Sequence, residues 1–396
     1  MARIVIAPDS FKGSADAAAV AAALAQGWAS ERPEDEIRLM PMADGGEGTL
    51  DAFAVAVPGS VRHPVEVTGP DGRTVSADWL WLPEAGNGEA GNGEADEADE
   101  SGGTGVVELA STSGLTLLEP LQPLDAHTIG FGEAIVAALD FGVRRLILAI
   151  GGSSSTDGGA GALTALGARF DDATGHPIAP GSRGLSEVAS ASFTAMRRPP
   201  GGGVVVVSDV TSPLYGETGA AHVFGAQKGA DAGTRRAMDE NLRKLADIVP
   251  VDPTTSGAGA AGGTGFGLLA WGETDGETGG VSIVPGARSV ADAMGLTAAI
   301  DSADLVITGE GRFDDQSEVG KVPAYVAELA TSHGGRPVLL VAGSIAAPTG
   351  GFADSADLSV LAGSVELAIA EPLTYLRLAG AGLARSYSRT LATRAS

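Results

Sequence analysis

The chain has 396 residues, and because a domain typically has roughly 100–200 residues, we expect one large or two α/β domains rather than one small module. A hydrophobic content of 44% suffices for a core, and a net charge of −25 disfavours binding to nucleic acid, whose phosphates it would repel. The absence of cysteine excludes disulfides, thiolate metal sites and a cysteine nucleophile. Since no apolar stretch approaches the roughly 20 residues of a membrane span, we expect a soluble, cytoplasmic protein without a membrane partner.

The first predicted unit is a strand at 3–7, followed by a polar loop at 8–13 and an alanine-rich helix over about 14–28 with Ser14 as its N-cap. Apolar runs that end in Gly, Ser or Asp recur at 146–150, 204–207 and 305–308, and a fifth strand at 337–342 follows a helix over 322–332. In open parallel sheets, the loops at the carboxyl ends of the strands form the ligand crevice. We therefore expect ligand-binding groups in these loops.

A different pattern lies between the first two units. Residues 65–67 and 74–82 flank a turn at 69–72, and their alternating apolar residues predict an antiparallel hairpin. The following segment, 84–105, is rich in Gly, Asp and Glu and has no basic residue. We interpret it as a disordered, solvated insertion in preference to a tract that binds a basic partner.

Two loops near the N-terminus carry candidate anion-binding and metal-binding groups. Ser10 and Lys12 follow the first strand, where Lys12 could bind an anion near the start of a helix, although an ordinary capping turn explains this loop by itself. In the glycine-rich loop at 43–49, Asp44 or Glu47 could bind a hydroxyl or a Mg²⁺-bound water. The alternative is that Asp44 caps a helix and Glu47 completes a capping box.

Two further loops follow predicted strands in the middle of the chain. In the loop at 151–161, hydroxyls and amides could cradle phosphate or carboxylate oxygens, and Asp157 could act on a substrate hydroxyl. A flexible linker is also rich in Gly and Ser, but it would not interrupt a strand–helix unit. Asp209 follows the strand at 204–207, and Lys228 could pair with a phosphate. The alternative for Asp209 is an Asx turn.

The densest charged loop is predicted at 308–317. Glu310 and Asp314 offer carboxylates, whereas Arg312 and the nearby Lys321 offer cations. Phosphoryl transfer needs both kinds of group, because a metal and cations neutralise the charge that develops on the transferred group. A structural network of salt bridges is the alternative interpretation.

A G-x-G-x-x-G pattern at 257–262 is weak evidence for a dinucleotide site, because no apolar strand precedes it. An NAD-dependent oxidoreductase is accordingly the weakest functional hypothesis. We expect Gly259 and Gly262 to let a helix begin close to another backbone or to a nucleotide.

Together these motifs resemble the bacterial glycerate kinase family, of the glycerate 2-kinase type. In chain order they are APDSFKG at 7–13, MADGGEGT at 42–49, IGGS and DGG at 150–153 and 157–159, SDVT and PL at 208–211 and 213–214, FG and QKG at 224–225 and 227–229, and TGEGR, QS and GK at 308–312, 316–317 and 320–321. Two features depart from the family pattern: the insertion at 84–105 is longer than expected, and Ser-Ser-Thr at 154–156 replaces Ala-Thr-Asn.

The resemblance implies ATP-dependent phosphorylation of D-glycerate, most often to 2-phosphoglycerate, with Mg²⁺ as cofactor. It also implies a two-domain α/β architecture with the active site in the interdomain cleft. The hypothetical catalytic residues are Asp209, Asp157, Asp314 and Lys12. The hypothetical binding residues are Ser10, Lys12, Ser153, Ser154, Lys228, Arg312 and Lys321 for substrate and phosphate, Gly151, Gly152, Gly259 and Gly262 for the nucleotide, and Asp44, Glu47 and Glu310 for the metal.

We predict a discontinuous Rossmann-like domain at 1–62 and 282–396, in which the first strand lies with the strands around Leu305 and Leu339. A mixed α/β domain at 63–281 would be inserted into it. We expect a monomer or homodimer that binds D-glycerate and ATP. The alternatives left open are a kinase for a related small hydroxy acid and a non-catalytic ligand-binding protein on the same scaffold.

Overall fold

The computed structural model describes residues 1–11, 13–84, 102–273, 280–314 and 322–395. Lys12, Lys321 and most of the predicted insertion at 84–105 lie outside the described residues. The chain divides into two compact units. Unit 1 contains Met1–Ala43, Asp51–Pro58 and Ala287–Ser396, and unit 2 contains Asp44–Leu50 and Gly59–Gly286. In the part of the chain that is described, no helix is both long and apolar enough to cross a membrane.

Strands and helices alternate along most of the chain. The strands are β1 (Arg3–Pro8), β2 (Glu36–Leu39), β3 (Val61–Thr68), β4 (Thr74–Leu82), β5 (Thr104–Glu108), β6 (Arg145–Ala149), β7 (Arg169–Asp172), β8 (Val188–Ser192), β9 (Val204–Val207), β10 (Val281–Val284), β11 (Leu305–Phe313), β12 (Val338–Ile345) and β13 (Asp354–Asp357). The helices are α1 (Ala17–Glu31), α2 (Thr49–Ala56), α3 (Leu109–Ser113), α4 (Ile129–Phe141), α5 (Ala160–Ala165), α6 (Gly181–Leu185), α7 (Ala220–Phe224), α8 (Ala232–Ile248), α9 (Ala260–Glu273), α10 (Gly286–Met294), α11 (Leu296–Asp301), α12 (Val322–Ser332), α13 (Leu358–Ala362), α14 (Val365–Ala370) and α15 (Pro372–Ala395).

Unit 1 is built on a parallel sheet of five strands in the order β13-β12-β11-β1-β2. The central strands are nearly continuous apolar runs, as expected where helices cover both faces of a sheet. Ile4 of β1 lies opposite Leu305 of β11, and Ile307 of β11 lies opposite Leu339 of β12. The predicted placement of the first strand with the strands around Leu305 and Leu339 is therefore correct.

Helices α1 and α15 of unit 1 approach each other closely. A Cβ atom on Gly27 of α1 would overlap the Arg377 carbonyl oxygen, and one on Gly380 of α15 would overlap the Leu24 carbonyl oxygen. Trp28 is completely buried beside this crossing, and its indole ring centroid lies 5.7 Å from that of Tyr387. Two glycines thus let the C-terminal helix lie directly against the first helix.

The start of α1 differs from the prediction. Asp16, not Ser14, is the N-cap, because its carboxylate accepts a 2.7 Å hydrogen bond from the Ala19 amide. Ser14 is used in the preceding turn, where its hydroxyl donates to the Phe11 carbonyl oxygen at 2.9 Å. The helix consequently begins at Ala17.

Unit 2 is built on a mixed sheet of six strands in the order β10-β9-β6-β5-β4-β3. β3 and β4 form the predicted antiparallel hairpin, whereas β5, β6, β9 and β10 pair in parallel. β7 and β8 form a separate antiparallel pair. The structure therefore confirms the predicted α/β class with one parallel-sheet unit and one mixed unit.

Three segments that were predicted in the Rossmann-like domain, 44–50, 59–62 and 282–286, group with unit 2. Asp44–Leu50 was expected in the Rossmann-like domain, but it belongs to unit 2. The Gly151 amide donates to the Gly45 carbonyl oxygen at 2.8 Å, and the Leu50 amide donates to Glu108 Oε2 at 3.1 Å. These hydrogen bonds attach the segment to the end of β5 and to the loop that follows β6.

The charged segment predicted as a loop at 308–317 is partly a strand. β11 continues to Phe313, because Arg312 and Phe313 still pair with Ser344 and Ile345 of β12. Phe313 is buried, with its ring centroid 5.6 Å from that of Phe352. Glu310 and Arg312 therefore lie on the strand, and Asp314 follows its end.

Candidate active site

In unit 2, the loop that follows β6 buries an unusual number of polar side chains. Ser153, Ser154 and Asp157 are all buried, although they lie in a loop at the carboxyl end of a parallel strand. The Ser154 hydroxyl donates to the Ser113 carbonyl oxygen at 2.8 Å. This hydrogen bond attaches the loop to the end of α3.

Asp157 fixes the second half of this loop. Its Oδ2 accepts hydrogen bonds from the Thr128 amide at 2.9 Å, the Thr128 hydroxyl at 2.8 Å and the Gly161 amide at 3.2 Å. Its Oδ1 accepts from the Gly159 amide at 3.1 Å. The carboxylate thereby joins the residue that precedes α4 to the start of α5. Both of its oxygens are used in holding the loop.

Lys228 reaches the same loop from the short 3₁₀ turn at 226–228. It is only 3% exposed; its Nζ donates to the Ser155 carbonyl oxygen and lies 3.5 Å from the Ser153 hydroxyl. Burial lowers the pKa of Lys228 to about 8, although the nearby Asp157 carboxylate opposes this shift. The predicted phosphate-binding lysine is therefore an interior group of unit 2.

The beginning of α9 packs against this loop through consecutive left-handed residues. Ala261, Gly262 and Gly263 have φ angles of 53°, 68° and 90°, and the Gly158 amide donates to the Gly262 carbonyl oxygen at 3.1 Å. A Cβ atom on Gly262 would overlap the Ser155 carbonyl oxygen and lie 2.9 Å from Lys228 Nζ. The predicted close approach to another backbone is present at Gly262.

The other predicted nucleotide-loop glycines also have protein neighbours. A Cβ atom on Gly259 would overlap the Pro213 carbonyl oxygen, and one on Gly151 would lie 2.6 Å from the Gly46 Cα atom. Gly152 is exposed and has a φ angle of 73°. Close packing against neighbouring backbone therefore explains why glycine is required at positions 259 and 151. That these glycines bind the nucleotide stays a prediction.

In unit 2, Gly286 contacts both the Asp209 carboxylate and the backbone of Asp44. Asp209 Oδ1 accepts a 2.7 Å hydrogen bond from the Gly286 amide, and a Cβ atom on Gly286 would overlap the Asp44 carbonyl oxygen. Asp44 Oδ1 accepts from the Gly46 amide at 3.1 Å, which is an Asx-type turn, while α2 begins only at Thr49. Asp209 and Glu47 are exposed, and Asp44 is half-buried.

Two polar residues of this region were missed in the sequence. Glu108 ends β5 and is buried, with Oε2 bound by the Leu50 amide. Thr128 donates to Asp157 and accepts a 2.9 Å hydrogen bond from the Ala162 amide. A signal was available for Glu108, since a carboxylate directly ends the apolar run GVV, much as Asp209 follows β9. Nothing local distinguishes Thr128.

In unit 1, the adjacent strands β1 and β11 bring the remaining described candidates to one region. The Asp9 amide donates to the Gly309 carbonyl oxygen at 2.8 Å, and the Ser10 amide donates to Asp9 Oδ1 at 2.7 Å. Glu310 is buried, whereas Arg312 is exposed and its Nε lies 3.3 Å from Asp314 Oδ2. Arg312 and Asp314 therefore form an ion pair, as the alternative interpretation of this segment as a structural network of salt bridges predicts.

Among the residues that the structure describes, no three His, Asp or Glu side chains are arranged to hold a metal ion. An all-protein metal cage is therefore absent from that part of the chain. Magnesium in kinases needs no such cage, because one or two carboxylates and the substrate phosphates complete its coordination. Asp44, which is half-buried, and Glu47, which is exposed, offer carboxylate oxygens of this kind in one glycine-rich loop.

Carboxylates, hydroxyls and glycine-rich loops at the carboxyl ends of parallel strands are typical of α/β enzymes that bind small anionic substrates. The model of the glycerate kinase family matches residues 4–388. Over 351 residues, the chain is 41% identical to a glycerate kinase of Bacillus subtilis (strain 168), with 87% of this chain and 85% of that protein covered. It is 39% identical over 351 residues to a glycerate 2-kinase of Escherichia coli (strain K12), with the same coverage, 87% and 85%.

The fold agrees with these similarities. A crystal structure described as a glycerate kinase 2 from Salmonella typhimurium LT2 superimposes with a TM-score of 0.80 and 35% sequence identity, covering 98% of this chain and 99% of that chain. The chain belongs to the glycerate kinase family. It is a kinase, a phosphotransferase with an alcohol group as acceptor, and the family prediction from the sequence motifs is confirmed.

Proposed function

We propose that the protein transfers the γ-phosphoryl group of ATP to the C2 hydroxyl of D-glycerate, so that 2-phosphoglycerate, ADP and a proton are formed. The observation that carries this proposal is the similarity, over 87% of the chain, to the glycerate 2-kinase of Escherichia coli. The loops that carry the family motifs support it, because they place carboxylates and hydroxyls after strands of both sheets.

We assign the role of general base to Asp209. It is exposed, it lies two residues after the end of β9, and the Gly286 amide donates to one of its oxygens. A carboxylate so oriented can accept the proton of the acceptor hydroxyl. Asp157 is fully buried and accepts four hydrogen bonds, so we assign it to positioning the 151–161 loop. Asp314 is an alternative base, although it is paired with Arg312.

We assign Asp44 and Glu47 to Mg²⁺, with Glu310 as a further candidate. When bound with the nucleotide, Mg²⁺ would neutralise charge on the phosphates during transfer. The Gly152 amide and the Ser10 hydroxyl would bind phosphate or carboxylate oxygens. The Gly151 amide and the hydroxyls of Ser153 and Ser154 donate to carbonyl oxygens of the protein, so we assign these groups to holding the loop. The cations Lys12, Arg312 and Lys321 are proposed for the phosphoryl group or the substrate carboxylate.

A coupled assay of ADP release with D-glycerate and Mg-ATP tests the proposal, with the product resolved as 2- or 3-phosphoglycerate. We expect turnover to 2-phosphoglycerate. Formation of 3-phosphoglycerate, faster turnover of another hydroxy acid, or no turnover would each contradict it.

The base assignment is tested with Asp209→Asn in the same assay. We expect kcat to fall on the order of 10²- to 10⁴-fold, the usual contribution of a general base, with little change in stability. Asp247→Asn is the matched control, because Asp247 is an exposed carboxylate on α8. Full activity of Asp209→Asn would remove Asp209 from the reaction.

A further inference from the structure

We infer that Lys228 is a positioning residue of the kinase: its buried ammonium group holds the loop at 153–159 in its binding conformation and does not itself contact the bound ligand. This inference rests on the proposed function and replaces the expected contact of Lys228 with phosphate. It follows from the surroundings of Nζ.

The first argument is geometric. Lys228 Nζ donates to the Ser155 carbonyl oxygen, and the Ser153 hydroxyl lies 3.5 Å away. The left-handed turn at Ala261–Gly263 also approaches Nζ, so closely that a Cβ atom on Gly262 would be only 2.9 Å from Nζ. Ser153 also donates to the Ala261 carbonyl oxygen at 3.3 Å. Lys228 therefore joins the loop after β6 to the beginning of α9 from inside the protein.

The second argument is the cost of burying the charge. An ammonium group in the interior loses its hydration, and hydrogen bonds to a carbonyl and a hydroxyl replace that hydration only in part. Among the described residues, Asp157 is the charged group whose interaction with Lys228 favours the ammonium form, and the Asp157 carboxylate belongs to the same loop. An apolar side chain could fill the same space without the free-energy cost of burying a charge, so packing alone does not explain a lysine at this position.

The third argument concerns what the charge can do for a ligand. In a low dielectric, a positive charge beneath a loop attracts an anion bound on that loop without touching it. Desolvation lowers the pKa of Lys228 to about 8, so the charge is present at neutral pH and is lost within an accessible range of pH. Binding of an anionic substrate should therefore weaken as Lys228 loses its proton.

The test is the pH dependence of kcat/KM between pH 7 and 10 for the wild type, Lys228→Met and Lys228→Arg. At pH 7 we expect Lys228→Met to lose about 10- to 100-fold in kcat/KM, mainly through KM for an anionic substrate. Above about pH 8 the wild-type value should fall toward that of Lys228→Met, whose own profile should be flat there. Lys228→Arg, where it is active, should lack the fall near pH 8.

The matched control is Lys244→Met. Lys244 also donates to a backbone carbonyl, that of Ser186 at 2.6 Å, but it is exposed on α8. We expect this variant to keep the wild-type profile. Hydrogen exchange at pH 7 gives a second readout, since a peptide covering 151–161 should lose protection in Lys228→Met and keep it in Lys244→Met.

Several results would overturn the inference. The first is a Lys228→Met variant that folds and keeps the wild-type kcat/KM at pH 7. The second is a pH profile of kcat/KM that runs parallel in the wild type and Lys228→Met. The third is an inactive Lys228→Met in which hydrogen exchange of the 151–161 peptide is unchanged. If Lys228→Met does not fold, the wild type and Lys228→Arg still test the inference. A fall of kcat/KM near pH 8 that is the same in both proteins would contradict the inference. A wild-type kcat/KM that does not fall near pH 8 would also contradict it. A wild type that is inactive toward D-glycerate at pH 7 would instead contradict the proposed function.

Discussion

At the scale of single residues, the hydrogen-bond partners of Asp157 are the reason for proposing a positioning role in place of the catalytic role that its motif suggests. In the sequence, Asp157 lies in a Gly-Ser loop after a strand, which is a common place for a catalytic carboxylate. Its hydrogen-bond donors include Thr128, which is 29 residues away and belongs to no recognisable pattern. Such long-range partners decide between catalysis and support, and only the fold reveals them.

Asp157→Asn should destabilise the protein by about 3 kcal/mol or more, because an amide group can accept on only one side and would bring buried donors against donors. The free energy of unfolding in urea measures this loss. Asp247→Asn, at an exposed position, should stay within about 0.5 kcal/mol of the wild type. An unchanged stability of Asp157→Asn would show that its four hydrogen bonds contribute little.

Lys228 should also give stability a characteristic pH dependence. Its pKa is lowered from 10.5 to about 8 in the folded state, so between these two pH values the unfolded chain binds the additional proton. The free energy of unfolding should therefore rise with pH across this window, by up to about 3 kcal/mol from this residue. Urea unfolding of the wild type and Lys228→Met at pH 7.5, 9 and 10 isolates the contribution. A difference between the two proteins that does not change with pH would contradict it.

At the scale of elements, apolar runs in the sequence predicted the presence of strands well. Charged residues were a poorer guide to where a strand ends. The strand at 204–207 and the helix at 322–332 have the predicted bounds. The segment from Thr308 was predicted as a loop because of Glu310 and Arg312, yet β11 continues through it. Pairing with β12 decides this length, and a neighbouring strand that is distant in the sequence cannot be seen in the local pattern.

The left-handed start of α9 was also beyond local prediction, and it offers a test. Gly262→Ala should destabilise the protein by more than about 3 kcal/mol, since the added methyl group would overlap the Ser155 carbonyl oxygen and the backbone has a φ angle of 68°. Gly175→Ala is the matched control, because Gly175 has a φ angle of 81° with open space around its Cβ position. The control should lose only about 1 kcal/mol. Equal losses of unfolding free energy in the two variants would show that the close approach at Gly262 is unimportant.

At the scale of the whole molecule, the distribution of charge is as informative as its total. The chain carries a net charge of −25 and four lysines, of which Lys12, Lys228 and Lys321 lie in family motifs and Lys244 does not. The family could be predicted because several short motifs occur in the right order over most of the chain. Domain boundaries could not be predicted equally well from the sequence. Asp44–Leu50 belongs to unit 2, where it is hydrogen-bonded to Glu108 and Gly151, and such contacts between distant parts of the chain leave no local pattern.

A net charge of −25 should also make stability depend on salt. Repulsion among acidic groups destabilises a compact state, and salt screens it. Raising KCl from about 0.05 M to about 0.5 M should therefore increase the free energy of unfolding by on the order of 1 kcal/mol. Thermal unfolding across this range checks the prediction, and a melting temperature that falls with KCl would contradict it.

The pairing of β1 with β11 has a consequence for how the protein is made. All strands of the unit 2 sheet are encoded between Val61 and Val284, whereas unit 1 needs both the earliest and the latest parts of the chain. During synthesis from the N-terminus, the unit 2 sheet is therefore complete while β1 still lacks its neighbour β11 and α1 still lacks α15. β1 is therefore synthesised before every strand of the unit 2 sheet, yet it reaches its final place after that sheet is complete.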